Sequence, residues 1–524
     1  MGRLTSATAP IAGGKTVSYS YDAAGRRATM TDPDNGQTTY AYDNANRLTS
    51  LTNPFNEATA LQYDAAGRPV RQDNANGTYS TWAFDAGGQV TSVATKKSDN
   101  SAILNLDYTR DAAGNPTQVA EQLLDTDNQT VHNATPTIGH DAINRLTLEK
   151  RAGYEPIWYE YTLDGAGNRL SMVQKDQQGS VVGTTNSTYD DANNLLTCGN
   201  TAYTWDGNGN LTSKTTNNVS VTYAWDYENR LVSLTDGHTM SFSYDGDGLR
   251  QSRTVDGTAT QFVYDGVRLL KELDGNGATQ TTYSLASIGD EWESLISDRT
   301  TSASRWYAFD ALGTTRALTA AAGSVADTFT DDAWGNTLQA SDPEATPHQY
   351  VGKLGYYTDA ASGLQLLTQR YYDPVVGTFV SEDPVRDGGN WYAYVSARPT
   401  DFLDPEGLGG HTKGKRPSTH DKHTGRRAGD PEKGDARRAE PTHRPTQEER
   451  NRARNQERRE SYREMAEQAA REAAEALARA RDTMRAQMEA MDAYMRRNAP
   501  PPVAAVWCAC GVFMVGCGCV VLAL

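Results

Sequence analysis

Tyr21-Asp22-Ala23-Ala24-Gly25-Arg26, Tyr42-Asp43-Asn44-Ala45-Asn46-Arg47, Tyr63-Asp64-Ala65-Ala66-Gly67-Arg68 and Phe84-Asp85-Ala86-Gly87-Gly88-Gln89 are copies of one hexapeptide, each starting 21 residues after the last. An aspartate can bind the backbone N–H groups ahead of it, and a glycine or asparagine can enter the left-handed region, so each copy reads as a tight turn. The Thr/Tyr/Val-rich stretches between copies, such as Val17-Ser18-Tyr19-Ser20 and Gln37-Thr38-Thr39-Tyr40-Ala41-Tyr42, read as strands. Two strands and two turns cannot bury a face alone, so the units must stack on their neighbours.

Looser copies start at Arg110, His140, Leu163, Tyr189, Trp205, Trp225, Tyr244 and Tyr264. Composition agrees with many short strands: 27 Tyr and 46 Gly stand against 9 Phe and 9 Trp. At 524 residues the chain has room for two or more domains. Its net charge of −16 is unevenly spread, since residues 1–408 carry 28 Lys+Arg and 50 Asp+Glu, whereas 409–524 carry 22 and 16. The basic end suits attraction to the acidic body, an anionic partner such as lipid headgroups or nucleic acid, or a solvated linker.

Aromatic-Asp-x-x-Gly-Arg/Asn at this spacing resembles the YD repeat of the RHS family, which includes bacterial RHS toxins, encapsulating subunits of insecticidal toxin complexes and teneurin receptors. The resemblance implies a mainly β fold, a spiralling antiparallel YD-repeat β-shell enclosing a hollow, over residues 1–305. Gly2-Arg3-Leu4-Thr5-Ser6 matches the back half of a repeat, as in Asn46-Arg47-Leu48-Thr49-Ser50. A mid-repeat start of this kind leaves an unpaired first edge and an incomplete shell as the expectation.

From Trp306 the pattern changes. Phe309-Asp310-Ala311-Leu312-Gly313, Arg370-Tyr371-Tyr372-Asp373-Pro374, Ser381-Glu382-Asp383-Pro384 and Asp404-Pro405-Glu406-Gly407-Leu408 resemble, in order, the RHS repeat-associated core, over residues 306–408. The resemblance implies self-cleavage just after Leu408 by an aspartyl-protease-like reaction, with Asp383 and Asp404 as the carboxylate pair and Arg370 tuning their charge. Two adjacent carboxylates cannot both ionise easily, so one can serve as base while the other donates a proton. Asp-Pro is also a common turn initiator. The chain departs from the family where Val385-Arg386 replaces a hydrophobic residue followed by glycine.

Three segments follow the core. Residues 409–445 read as a basic disordered linker, too poor in apolar residues to offset ordering entropy. Their His411, His420, His423 and Asp421 lack the cysteines and rigid frame of a zinc or nuclease site. Thr446 and Glu449 form a capping box opening a helix over 446–499, on which Leu477, Met484, Met488, Met491 and Met495 make a seam for a helix partner or for the shell. Val503 to Leu524 carries no charge and is long enough to span a membrane, with Arg496 and Arg497 just before it. Cys508, Cys510, Cys517 and Cys519 within it fit inert packing, with lipidation or metal binding as alternatives.

No N-terminal signal peptide is visible, and whether the body is cytoplasmic or exported stays open. The sequence requires no cofactor and no metal. Its functional expectation is a shell that carries or displays a variable C-terminal region of bacterial polymorphic-toxin type, with its own C-terminal region and a membrane as partners. The alternatives are an anchored adhesion protein and a truncated gene copy without separate activity. Autoproteolysis is the one enzymatic activity implied.

Overall fold

The structure, a computed structural model, describes residues 3–9, 14–287, 293–386 and 388–409, with the strand His411–Thr412 as backbone. The chain divides into two units, Met1–Glu432 and Lys433–Leu524, and the second lies wholly outside the described residues. Most of the basic linker, the helix expected over 446–499 and the apolar run Val503 to Leu524 therefore also lie outside them. Among the described residues no helix is long and apolar enough to cross a membrane.

The aspartate of each unit builds its turn. Oδ1 of Asp43 accepts the N–H groups of Ala45 and Arg47, each at 2.9 Å, while Asn46 takes φ 63°. Asp43 Oδ2 accepts Nε of Arg47 at 2.7 Å, and Arg47 Nη1 reaches on to the Asp64 carbonyl of the next unit at 3.2 Å. The same guanidinium lies 4.9 Å from the centre of the Tyr63 ring, whose hydroxyl donates to the Leu48 carbonyl at 2.7 Å. One arginine thus ties its own aspartate to the next unit's aromatic ring. Where asparagine replaces it, Asn168 bridges Asp164 and Asn193 at 2.8 Å each, so the ladder along this edge continues. At the beginning of the chain Arg3 faces the Tyr21 ring and Tyr21 donates to the Leu4 carbonyl at 2.6 Å, which reproduces the back half of a unit.

Among the described residues 31 strands form one sheet, from Ser6–Ala9 to Thr337–Ala340. Each pairs antiparallel with its chain neighbours, and the register shifts by a bulge one residue before the turn aspartate in unit after unit. The wall runs on through Trp306 as far as Ala340, so the residues from 306 onward are shared between wall and closing segment.

The copy starting at Tyr264 differs from its expected turn. Strand Thr258–Asp265 continues through the aspartate and reverses at Gly266-Val267, with Gly266 at φ 62°. A two-residue turn needs no side-chain acceptor, which leaves Asp265 to accept the Tyr19 hydroxyl at 2.8 Å and to pair with Arg27.

That pair belongs to a seam where the wall comes back upon itself. Lys271, buried, lies 2.9 Å from Asp32 and 2.8 Å from Asp34; Asn53 donates to Ser284 at 3.1 Å; Asn76 donates to Thr319 and to the Ala320 carbonyl at 2.9 Å. Further along, Arg316 of the late wall shares Glu121 with Arg151 of the early wall. The sheet is therefore a spiral whose wraps meet through these polar groups and through apolar clusters such as Leu48, Leu51 and Leu61 with Ala286 and Ile296.

Residues 341–409 fold against the inner face of this wall. Their four-stranded sheet comprises Tyr357–Thr358, Gln365–Leu367, Arg370–Asp373 and Thr378–Phe379. Tyr356, Tyr372, Tyr392, Tyr394 and Phe379 are among the largest fully buried side chains, and hydrophobic clusters mix wall residues such as Phe242 and Phe262 with Tyr357 and Tyr371 of this segment. Arg250 of the wall donates to Asp359 at 2.6 Å and to the Tyr371 hydroxyl at 3.0 Å. The closing segment thus occupies space inside the spiral and is anchored there by buried charge.

Candidate functional site

The closing segment brings Arg370, Asp383 and Asp404 together at relative exposures of 4%, 3% and 1%. Arg370 opens the inner strand Arg370–Asp373 of the small sheet, and its Nη2 lies 3.3 Å from Asp404 Oδ2 and 3.9 Å from Asp383 Oδ2. Nη1 donates to the Trp391 carbonyl at 3.0 Å, Nε donates to the Gly407 carbonyl, and the guanidinium stacks 3.5 Å from the Phe379 ring centre. Burial pulls the Arg370 cation below its ordinary range, and the charges of Asp404 and Asp383 oppose that pull. The two acids converge on one cation.

Asp404 also organises the turn that follows it. Its Oδ1 accepts the N–H of Leu408 at 2.9 Å and that of Gly409 at 3.1 Å, so it brackets the Leu408–Gly409 bond. The Asp404 N–H donates to the Tyr356 hydroxyl at 2.9 Å, and the Pro405 carbonyl accepts the Thr368 hydroxyl at 2.9 Å. Sequence reasoning missed Tyr356 and Thr368, because neither lies in an Asp-Pro motif.

Gly407 takes φ 68°, and a Cβ there would stand 2.4 Å from the Leu367 carbonyl oxygen and 3.1 Å from the Arg370 nitrogen. Both neighbours are backbone, so Gly407→Ala must displace the turn. The expected outcome is loss of the Asp404 contacts to Leu408 and Gly409, read as faster hydrogen exchange at those two amides.

Where the chain departs from the family, Arg386 itself takes φ 53°. It enters the left-handed region that glycine occupies freely. Its side chain pairs with Glu382 at 3.0 Å and lies 4.6 Å from the Trp391 ring centre. Val385 N–H still donates to Asp383 Oδ1 at 2.9 Å, so the substitution leaves the turn that holds Asp383 in place.

A meandering repeat wall wound around a buried closing segment defines a shell protein. The chain belongs to the teneurin YD-shell family, which matches residues 97–387, and RHS repeats match 2–37, 29–58 and 63–99. It is 31% identical over 278 residues to the tRNA3(Ser)-specific nuclease WapA of Bacillus spizizenii, covering 51% of this chain and 11% of that protein. It is 28% identical over 288 residues to the double-stranded DNA deaminase toxin A of Burkholderia cenocepacia, covering 48% of this chain and 19% of that protein. The fold resembles the crystal structure of TcdB2-TccC3, with a TM-score of 0.62 at 19% identity over 76% of this chain and 22% of that one. The chain thus spans a small part of the length of the relatives it matches.

Proposed function

We propose that this body is the carrier shell of a polymorphic-toxin-type protein and that it severs its own chain between Leu408 and Gly409. The observation that carries the reading is the position of Asp404, on the leaving nitrogen of Gly409 and within reach of the cation that Asp383 also faces. In the step, Asp383 takes a proton from a water whose oxygen bonds to the Leu408 carbonyl carbon. The C–N bond then breaks, and the Gly409 nitrogen leaves with a proton handed over by Asp404. Similarity to nuclease and deaminase toxins supports the same reading, since each matches about half of this chain.

The products are a shell ending at Leu408 and a C-terminal piece of residues 409–524. Intact mass of the purified full chain tests the cut: a shell ending at Leu408 is expected, and a preparation holding only full-length chain would remove the assignment. On this reading the released piece is the cargo, with Val503 to Leu524 as its membrane-seeking stretch. Expression of residues 409–524 in bacteria is expected to cause membrane leakage. Silent membrane insertion would make the piece an anchor instead.

A further inference from the structure

Where the early wall, the late wall and the closing segment meet, a cavity of about 130 Å3 is lined by carboxylates from both wraps, including Glu149, Asp331 and Asp332. That volume holds on the order of four waters. Glu149, from strand Leu146–Gly153, reaches across the seam so that both its oxygens accept the Ala333 N–H, at 2.9 and 3.0 Å. Asp332 is the turn aspartate of the last hairpin and accepts the N–H groups of Trp334 and Asn336 at 2.9 Å. Both oxygens of Asp331 are shielded from solvent with no hydrogen bond of ordinary geometry, the Thr337 hydroxyl offering at most a weak one.

The cations that face these acids are already shared. Arg151 and Arg316 both bind Glu121 on the same cavity wall, and Arg110 lies 3.9 Å from Asp401. Arg169 faces Asp332, and Asp310 adds another negative charge facing Asp331. The phenols of Tyr108, Tyr159, Tyr161, Tyr350 and Tyr372 also face this neighbourhood. Among the described residues no group of three or more His, Cys, Asp or Glu is placed to hold a metal ion.

From this geometry we infer that the cavity is a proton-binding site: Glu149, Asp331 and Asp332 hold protons that let the two wraps close, and losing them loosens this stretch of the seam. Burial, the dominant cause, pushes Asp331 up to about 7 and raises Glu149 and Asp332 above their ordinary range, with Asp332 adding to the rise at Glu149. The sign follows from linkage. A carboxyl raised in the folded state binds more protons there than in the open chain, so closure strengthens as pH falls through the folded value and weakens as pH rises through it. The window at Asp331 is centred near neutrality.

Hydrogen exchange on the full-length chain tests this, with rates corrected for the intrinsic pH dependence of exchange. Peptides containing Ala333 and those from strand Leu146–Gly153 are expected to be about tenfold better protected near pH 6 than near pH 8, as one linked proton requires. The ion-paired stretch around Lys271 serves as the control and should show no such ratio. Asp331→Asn and, separately, Glu149→Gln should raise protection near pH 8 and reduce the ratio toward one. Equal wild-type protection at the two pH values, or an undiminished ratio in both variants, overturns the inference; the wild-type comparison decides even if a variant does not fold.

Discussion

Arg250→Met is expected to destabilise the folded body by about 3 kcal/mol, because it strands a buried carboxylate. Arg250 is 1% exposed, lies 2.6 Å from Asp359, and has the Tyr357 and Phe262 ring centres 4.4 and 4.6 Å from its guanidinium. Asp359, 0% exposed, would keep only Arg253 at 2.6 Å, which tempers the loss. Urea denaturation measures the effect as a lowered midpoint. Adding Asp359→Leu should recover only part of it, since a buried ion pair replaced on both sides is often close to neutral but Arg253 then loses its partner as well. An unaltered midpoint in the single variant would mean that this ion pair does not fasten the closing segment to the wall.

Asp404→Asn is expected to slow chain cleavage by about 100-fold or more, the scale of losing a positioned acid or base. Asparagine retains an oxygen that can accept the Leu408 and Gly409 N–H groups now held by Oδ1, so the turn should persist while the transferable proton is lost. The rate is read as the fraction of chain ending at Leu408 over time after synthesis, by intact mass. Asp404→Ala removes both acceptor and proton and should unsettle the turn as well. If the asparagine variant cleaves at the wild-type rate, Asp404 is a turn residue and nothing more.

The turns of the wall were legible because their chemistry is local. Asp43 and Arg47 are four residues apart, and the spacing alone indicates which groups meet. The weak copies at Arg110, His140 and Leu163 were equally readable, since Asp111, Asp141 and Asp164 form the same turn without a tyrosine ahead of them. Asp265 could not be read this way: its partners Arg27 and Tyr19 lie 238 and 246 residues earlier, and only the number of strands per wrap brings them together. The meeting of Asp383 and Asp404 at Arg370 likewise came from family resemblance, because spacing along the chain says nothing about how the closing segment coils. Glu149 and Asp331 gave no signal at all, for an acid in a turn-rich acidic chain reads as a solvated one.

Because each described strand of the wall pairs only with its neighbours in the chain, a hairpin can be duplicated or deleted without disturbing any other ladder. The circumference is a different matter. A gain of one 21-residue unit ahead of Trp225 would move Lys271 out from beneath Asp32 and Arg316 away from Glu121. Lengthening such a protein is therefore unconstrained at its ends but commensurate around its girth, so that insertions should survive in descendants only where a whole revolution, or a compensating deletion, restores the pitch.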